Sequence, residues 1–288
     1  MSSSLDVSAC HKMLQSFLAE DVGAGDITTE ATVSATQRAC GEIIAKAPLM
    51  LAGIDLFAEV FRLLDSTTEV EICYHDGQEL KPGQLPARVR ASARALLTGE
   101  RVALNLLQRL SGVATLTQQF VRAIAGTSAE ILDTRKTTPG LRALEKYAVR
   151  VGGGRNHRKD LSEAILIKEN HICLAGSISA ALIAAKAVKD RVAWIEIEVT
   201  NLDELRAAIV HGPDVVLLDN MSPSLVRQAV ELVRERDPAR KIRIEASGGI
   251  TLENVREFAN TGVDWISVGA LTHSAPAMDL SFEITPLC

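Results

Sequence analysis

Aromatic residues are scarce in this sequence: two Trp, two Tyr and six Phe make up 3% of its 288 positions. That leaves few rings on which nucleic-acid bases could stack. Positive charge is not in excess either. Lys and Arg number 31 against 36 Asp and Glu, for a formal net charge of -5 and a pI near 5.8. Such a balance gives no long-range pull on nucleic acid or on an anionic membrane surface, and neither is expected as a partner. Cysteine is present but unpatterned. Cys10, Cys40, Cys73, Cys173 and Cys288 include no C-x-x-C pair, which argues against a zinc ribbon or a dithiol redox site. They read as free thiols of a reducing compartment. No apolar run approaches the roughly 18 residues of a membrane span. The opening "MSSSLDVSACHKML" has neither the basic start nor the apolar centre of a signal peptide. A cytoplasmic, soluble protein is expected.

What is present is an ordinary globular composition, 47% hydrophobic and 23% charged, long enough for one large domain or two smaller ones. The first hundred-odd residues mix strands and helices. "HKMLQSFLAED" and "IDLFAEVFRLLD" have helical periodicity, "VGAGDITTE" reads as a loop, and "GEIIAKAPLMLAG", "VEICYHDGQEL" and the alternating run in "KPGQLPARVRASARALL" read as strands. A long helix is predicted from Thr98 to about Gly126. It places Arg101 in the first turn, where the helix dipole disfavours a cation.

Beyond residue 126 the rhythm changes. "AEILDTRK", "YAVRVGGG", "AILIKEN", "WIEIEVT", "VVLLDN", "IRIEASGG" and "WISVGA" are β-rich runs, most of them separated by helical segments. Ser222 before Pro223 forms a helix start, and Thr251 is expected to cap a turn containing Glu253. Strands alternating with helices imply parallel pairing. Seven in series predict a (β/α) barrel, incomplete by one strand, with a doubly wound sheet as the competing arrangement.

Polar residues collect where these runs end: Thr134, Arg135 and Lys136; His157 and Arg158; Lys168 and His171; Glu198; Asp219 and Asn220; Ser247, Gly248 and Gly249; Ser267, Val268 and Gly269. Barrel active sites are assembled from strand ends, so these positions are the candidate site. The cations form a floor for a ligand bearing several negative groups, and arginine's planar fork suits carboxylates and phosphates. Glu198 and Asp219 are candidates to hold Mg²⁺ or to stabilise positive charge on a sugar. The glycines of "SGGITLENV" and "SVGALTHS" are candidates for a phosphate nest. These residues describe an enzyme for a phosphorylated, polyanionic substrate. Two other readings stand beside it: an aldolase with Lys168 as a Schiff base, and an anion sensor without turnover.

"DTRKTTPGLRALEKYAVRVGGGRNHR", followed by "LIKENH", "EIEV", "LLDN", "EASGGI" and "SVGALTHSAPAMD", resembles the quinolinate phosphoribosyltransferases. The likeness takes in "EDVGAGDIT" and "LTGERVALNLLQRLSGVAT" and so covers essentially the whole chain. Nicotinate phosphoribosyltransferase and the molybdenum-locus relative share that architecture. The resemblance implies an N-terminal α/β sandwich domain over residues 1–115, joined by the tail 276–288. It implies an open, incomplete, seven-stranded α/β barrel over residues 116–275. The implied reaction joins quinolinate to phosphoribosyl pyrophosphate with Mg²⁺, giving nicotinate mononucleotide, pyrophosphate and CO₂. By matching motif, Arg135, His157, Arg158 and Lys168 would contact the two carboxylates of quinolinate. Lys136, Lys168, Glu198 and Asp219 would hold phosphoribosyl pyrophosphate and its metal. Ser247, Gly248, Gly249, Gly269 and His273 would cradle the 5′-phosphate. Arg101 would reach into the site of a neighbouring subunit, making a homo-oligomer built on a dimer.

Overall fold

The computed structural model describes residues 5–287 and divides the chain into two compact units. One comprises the described parts of Met1–Leu116 and Ala275–Cys288 together with Tyr147–Gly153; the other comprises Thr117–Lys146 and Gly154–Ser274. Cys10, Cys40, Cys73 and Cys173 carry free thiols, and Cys288 lies outside the described residues.

In the first unit, helices α1 (His11–Val22) and α2 (Ile27–Thr32) precede strands β1 (Arg38–Ala45) and β2 (Leu49–Met50). Then come α3 (Ile54–Leu64), β3 (Glu69–Ile72), β4 (Glu79–Leu80), β5 (Ala87–Ser92) and the long α4 (Ala93–Ala123), which belongs to this unit as far as Leu116. An antiparallel sheet runs in the order β12-β1-β5-β3, where β12 is the C-terminal strand Leu280–Pro286. β12 pairs with β1 from Ala45↔Leu280 to Ala39↔Pro286. Helix α3 starts at Gly53, held at φ 100°, and its first amide groups donate to the Asp76 carboxylate at 2.7 Å (Gly53) and 3.0 Å (Ile54). Its face buries Phe57 and Phe61, which stack edge-on and face-on against Phe282 of β12. Burying each such ring contributes about 1.5–3 kcal/mol.

Two expectations change in this unit. "VGAGDITTE" is not all loop: Asp26 accepts the Thr29 amide at 3.0 Å and caps the six-residue helix α2. Helix α4 starts at Ala93, not at Thr98, because "SARALL" continues from the last rung of β5 straight into helix. Arg101 therefore sits in the third turn, clear of the dipole's positive end.

The second unit holds β6 (Glu130–Leu132), the start of α5 (Arg142–Val151), β7 (Ile165–Ile167), α6 (Glu169–Ala175), α7 (Ile178–Lys186) and β8 (Ile195–Val199). It continues with α8 (Leu202–Val210), β9 (Val215–Asp219), α9 (Pro223–Arg236), β10 (Arg243–Ser247), α10 (Val255–Ala259), β11 (Trp265–Ser267) and α11 (Ala270–His273). Ser222 caps α9 with proline in the first turn, as the sequence predicts. Every pairing in the sheet is parallel, in the order β6-β11-β10-β9-β8-β7. The first strand lies beside the last and the others run in sequence. That cyclic order belongs to a barrel; a doubly wound sheet would reverse direction at a switch point.

The barrel has six strands among the described residues, not seven. "YAVRVGGG" lies mostly in α5, where Leu144, Tyr147 and Ala148 are buried at helical spacing. The missing strand is reduced to one bridge, in which Arg155 exchanges backbone hydrogen bonds with Ile131 and Asp133 on the free edge of β6 (2.8 and 3.1 Å). No helix of the described residues is long and apolar enough to cross a membrane.

Candidate active site

In a parallel sheet, residues in register share a face, and the register here stacks polar side chains in rows. Asp219, Ser247 and Ser267 form one row at the strand ends, with Ser267 Oγ donating to Ser247 Oγ at 2.9 Å. Glu198, Leu217 and Glu245 form the row beneath. These rows line a pocket of about 760 Å³ at the C-terminal end of the barrel.

All but two of the residues singled out from the sequence line that pocket: Thr134, Arg135 and Lys136 after β6, His157 and Arg158 beyond the bridge, Lys168 after β7, and Glu198, Asp219 and Asn220 from β8 and β9. Ser247, Gly248 and Gly249 come from β10, and Ser267, Val268, Gly269 and His273 from β11 and α11. The exceptions are Arg101 and His171. Arg101 is exposed on α4 of the first unit and pairs with Glu100 at 2.9 Å. His171 turns back on its own helix, its Nδ1 accepting the Lys168 amide at 2.9 Å. It thereby fixes the start of α6 instead of facing the pocket. Of the remaining cations in "GGGRNHRKD", Arg155 is exposed and pairs with Glu130 at 2.6 Å, and Lys159 is exposed.

Lys168 Nζ lies 2.5 Å from Glu198 Oε2 and is about half exposed. A Schiff-base lysine needs a desolvated, unpaired amine, and this one is neither. Arg158 is buried, with Nη1 donating to Ala164 O at 2.9 Å. Burial first, and then the charge of Arg135, lower its affinity for its proton, although a guanidinium stays charged throughout. Arg135 Nε is itself buried without a hydrogen-bond partner. Two crowded guanidiniums with an orphaned donor call for an anion between them.

The glycine loop is shaped by Asn220, which sits at φ 53° and donates its amide to Ser247 O (2.9 Å) and Nδ2 to Asp219 Oδ2 (2.7 Å). Gly248 follows at φ 91°, pressed so closely against Asn220 that a Cβ would overlap the amide oxygen. No helix start adjoins this loop, because α10 begins only at Val255; Thr251 instead donates its amide to Asn254 Oδ1 at 2.8 Å. Any phosphate nest must therefore come from the loop amides, not from a helix dipole. Gly269 stands between Lys136 and His273, whose side chains would lie 3.1 and 3.2 Å from an added Cβ.

Four buried charged residues, of which Glu245 lines the pocket floor, were not singled out from the sequence. Glu196 and Glu245 are fully buried and lie 3.1 and 3.4 Å from His157 Nε2. Burial disfavours a charged His157, but the two carboxylates outweigh it and push the ring up to about 10. The Arg158 amide, however, donates to Nδ1 at 2.8 Å, which only an unprotonated nitrogen accepts. Both carboxylate oxygens of Glu245 are buried without a hydrogen-bond partner. Burial and the charge of Glu196 raise that carboxyl. Both ring nitrogens of His157 are thus engaged. The alternation in "IEIEV" carried the signal for Glu196: it shares a strand face with Glu198, one layer deeper. Asp133 and Lys146, the other two, form a buried ion pair at 2.5 Å.

A parallel barrel gathering cations, two acids and a glycine loop at the C-terminal ends of its strands defines a barrel-enzyme site built for a polyanionic, phosphate-bearing substrate. Comparison with known proteins narrows the class. Residues 26–111 match the N-terminal domain and residues 113–283 the C-terminal domain of quinolinate phosphoribosyl transferase. A probable nicotinate-nucleotide pyrophosphorylase [carboxylating] of Bacillus subtilis is 46% identical over 274 residues, covering 95% of this chain and 93% of that protein. The nicotinate-nucleotide pyrophosphorylase [carboxylating] of Mycobacterium leprae is 42% identical over 287 residues, covering 99% and 100%. The crystal structure of NadC from Streptococcus pyogenes superposes with a TM-score of 0.93 at 40% identity, covering all of both chains. The chain belongs to the quinolinate phosphoribosyltransferase family, pentosyltransferases of NAD biosynthesis.

Proposed function

We propose that this pocket joins quinolinate to phosphoribosyl pyrophosphate and releases CO₂, with the residues in the following roles. Arg135 and Arg158 take the carboxylates of quinolinate. The observation carrying this is the buried, unpartnered Nε of Arg135 beside the buried guanidinium of Arg158. Lys168 assists them from the end of β7, and His157 acts by accepting the Arg158 amide. Lys136 and Lys168 face the pyrophosphate, while the amides of Gly248, Gly249 and Gly269, with Ser247 and His273, receive the 5′-phosphate.

Glu198 and Asp219 are hard oxygen donors on adjacent strands β8 and β9, a donor set that fits Mg²⁺. Bound there, the ion would neutralise charge on the departing pyrophosphate. The pyridine nitrogen brings its own lone pair, so no general base is needed. It forms the N–C1′ bond as the C1′–O bond to pyrophosphate breaks. Catalysis rests on positioning and on charge: Glu198 and Asp219 face the oxocarbenium-like sugar, and Lys136 and Lys168 face the leaving group. Decarboxylation follows ribosylation, because the pyridinium nitrogen then stabilises the electron pair left at C2 when the C2–carboxylate bond breaks; a solvent proton completes the product.

Arg101 completes the site of a second copy in a homodimer. Its support is an exposed guanidinium whose ion pair is to its own neighbour, Glu100. A cytoplasmic location fits the free thiols. The test is nicotinate mononucleotide formation from quinolinate against nicotinate. Turnover of quinolinate alone is expected, with CO₂ release strictly dependent on phosphoribosyl pyrophosphate. Turnover of nicotinate, or CO₂ release without the second substrate, would overturn the reading.

A further inference from the structure

The buried pair Asp133–Lys146 lies outside the pocket lining, yet it connects the two chain segments that supply the pocket's arginines. Asp133 is the last residue before Thr134, Arg135 and Lys136. Its Oδ1 accepts from Lys146 Nζ (2.5 Å) and from the His157 amide (2.8 Å), and its Oδ2 accepts from Asn156 Nδ2 (2.6 Å). Lys146 Nζ also donates to His157 O at 2.8 Å. The peptide groups on both sides of His157 are therefore pinned by one ion pair, and Arg158 is the next residue. Glu145, adjacent on α5, accepts the Thr138 amide (3.0 Å) and hydroxyl (2.8 Å) and anchors the loop on the far side of Arg135 and Lys136.

Stability does not account for this arrangement. Both side chains are almost wholly buried. Burial raises Asp133 and lowers Lys146, so the surroundings oppose both charges. Well-packed apolar replacements of such pairs are often neutral or stabilising. What an apolar pair cannot do is fix two backbone segments against each other through directional hydrogen bonds.

We propose that Asp133 and Lys146 are positioning residues for quinolinate, setting the separation of Arg135 and Arg158 to match the two carboxylates. The proposal rests on the carboxylate roles given above to those arginines. It predicts a defect that falls mainly on quinolinate: of the groups given above to phosphoribosyl pyrophosphate only Lys136 lies on these two segments, whereas the glycine loop, Lys168, Glu198 and Asp219 hang from other strands.

The test uses the full-length enzyme with the pair neutralised, Asp133→Asn/Lys146→Met, in which the side-chain carbonyl introduced at position 133 can still accept the His157 amide. The KM for quinolinate should rise about ten- to a hundredfold, the scale of a misplacement near 1 Å. The KM for phosphoribosyl pyrophosphate should rise much less, through Lys136 alone, and circular dichroism should show a folded enzyme. Lys146→Gln, which keeps two donor hydrogens on an uncharged side chain one atom shorter, should give a smaller rise that again falls mainly on quinolinate. Unchanged quinolinate KM, an equal rise in both KM values, or failure of both variants to fold would overturn the proposal and leave the pair a structural element. Arg158→Lys serves as the control for the underlying reading. If it fails to weaken quinolinate selectively, the carboxylate assignment falls; if it succeeds while the pair has no effect, only the positioning role falls.

Discussion

Gly248 and Gly249 offer a comparison in which two adjacent substitutions share one cost and differ in another. Both residues have positive φ, 91° and 63°, so alanine at either pays left-handed strain of about 1–2 kcal/mol. Around Gly249 no atom lies within 4 Å of a built Cβ. At Gly248 the Cβ would overlap Asn220 Oδ1 and lie 2.6 Å from its Cγ and 2.9 Å from its backbone nitrogen. The side chain cannot simply swing away, since Asn220 is held through its amide on Ser247 and its Nδ2 on Asp219. Relieving the overlap must move backbone, adding about 1–3 kcal/mol. In thermal unfolding without ligands, Gly249→Ala should lower stability by about 1–2 kcal/mol and Gly248→Ala by about 2–5 kcal/mol. The displaced Asn220 carries Asp219 with it, so Gly248→Ala should also lower kcat/KM for phosphoribosyl pyrophosphate about a hundredfold. Equal destabilisation by the two substitutions would refute the reasoning, as would a Gly248→Ala enzyme of wild-type stability.

Further outcomes can be checked independently. Arg158→Lys loses the bidentate fork but keeps the charge, so initial-rate kinetics should show quinolinate KM raised about ten- to a hundredfold, with phosphoribosyl pyrophosphate much less affected. Arg101→Ala and Lys136→Ala should each be nearly inactive, and after mixing and re-dimerisation they should recover up to about a quarter of wild-type activity from the one intact site in each mixed dimer; absence of recovery would place the action of Arg101 within its own chain. The His157–Glu196–Glu245 cluster holds its proton more tightly when folded, up to about 10 against an ordinary histidine value of 6.5. That contribution to stability is complete below pH 6.5 and is lost as pH rises through about 10. Melting temperature should fall over this window, and the fall should be shallower in Glu245→Gln, where one of the two carboxylates facing His157 Nε2 is lost.

The barrel was legible because each apolar run ended in polar residues at the same point of the repeat, and the register places those ends on one rim. The misread run, "YAVRVGGG", has β-branched Val149 and Val151 beside Tyr147, a local preference for strand that the tertiary burial of Leu144, Tyr147 and Ala148 overrides. Helix α2 was missed because six residues give too little periodicity to detect. Within the site, Glu196 was visible in principle from its two-residue spacing to Glu198. Asp133 and Lys146 were not. Nothing local marks a lysine on an amphipathic helix as the partner of an acid thirteen positions earlier; only the crossing of α5 over the end of β6 brings them together.

The pairing of β1 with β12 has a consequence for the order of events during synthesis. Ala39 emerges long before its partner Pro286. Until then β1 has an open edge, and Phe57 and Phe61 lack the ring that covers them. Contacts so distant in sequence form slowly. The nascent first unit therefore keeps this strand edge and these two rings uncovered until Leu280–Pro286 has been made. A chain cut short before Leu280 would never close that edge, so the first unit is completed only after the residues of the second have been made.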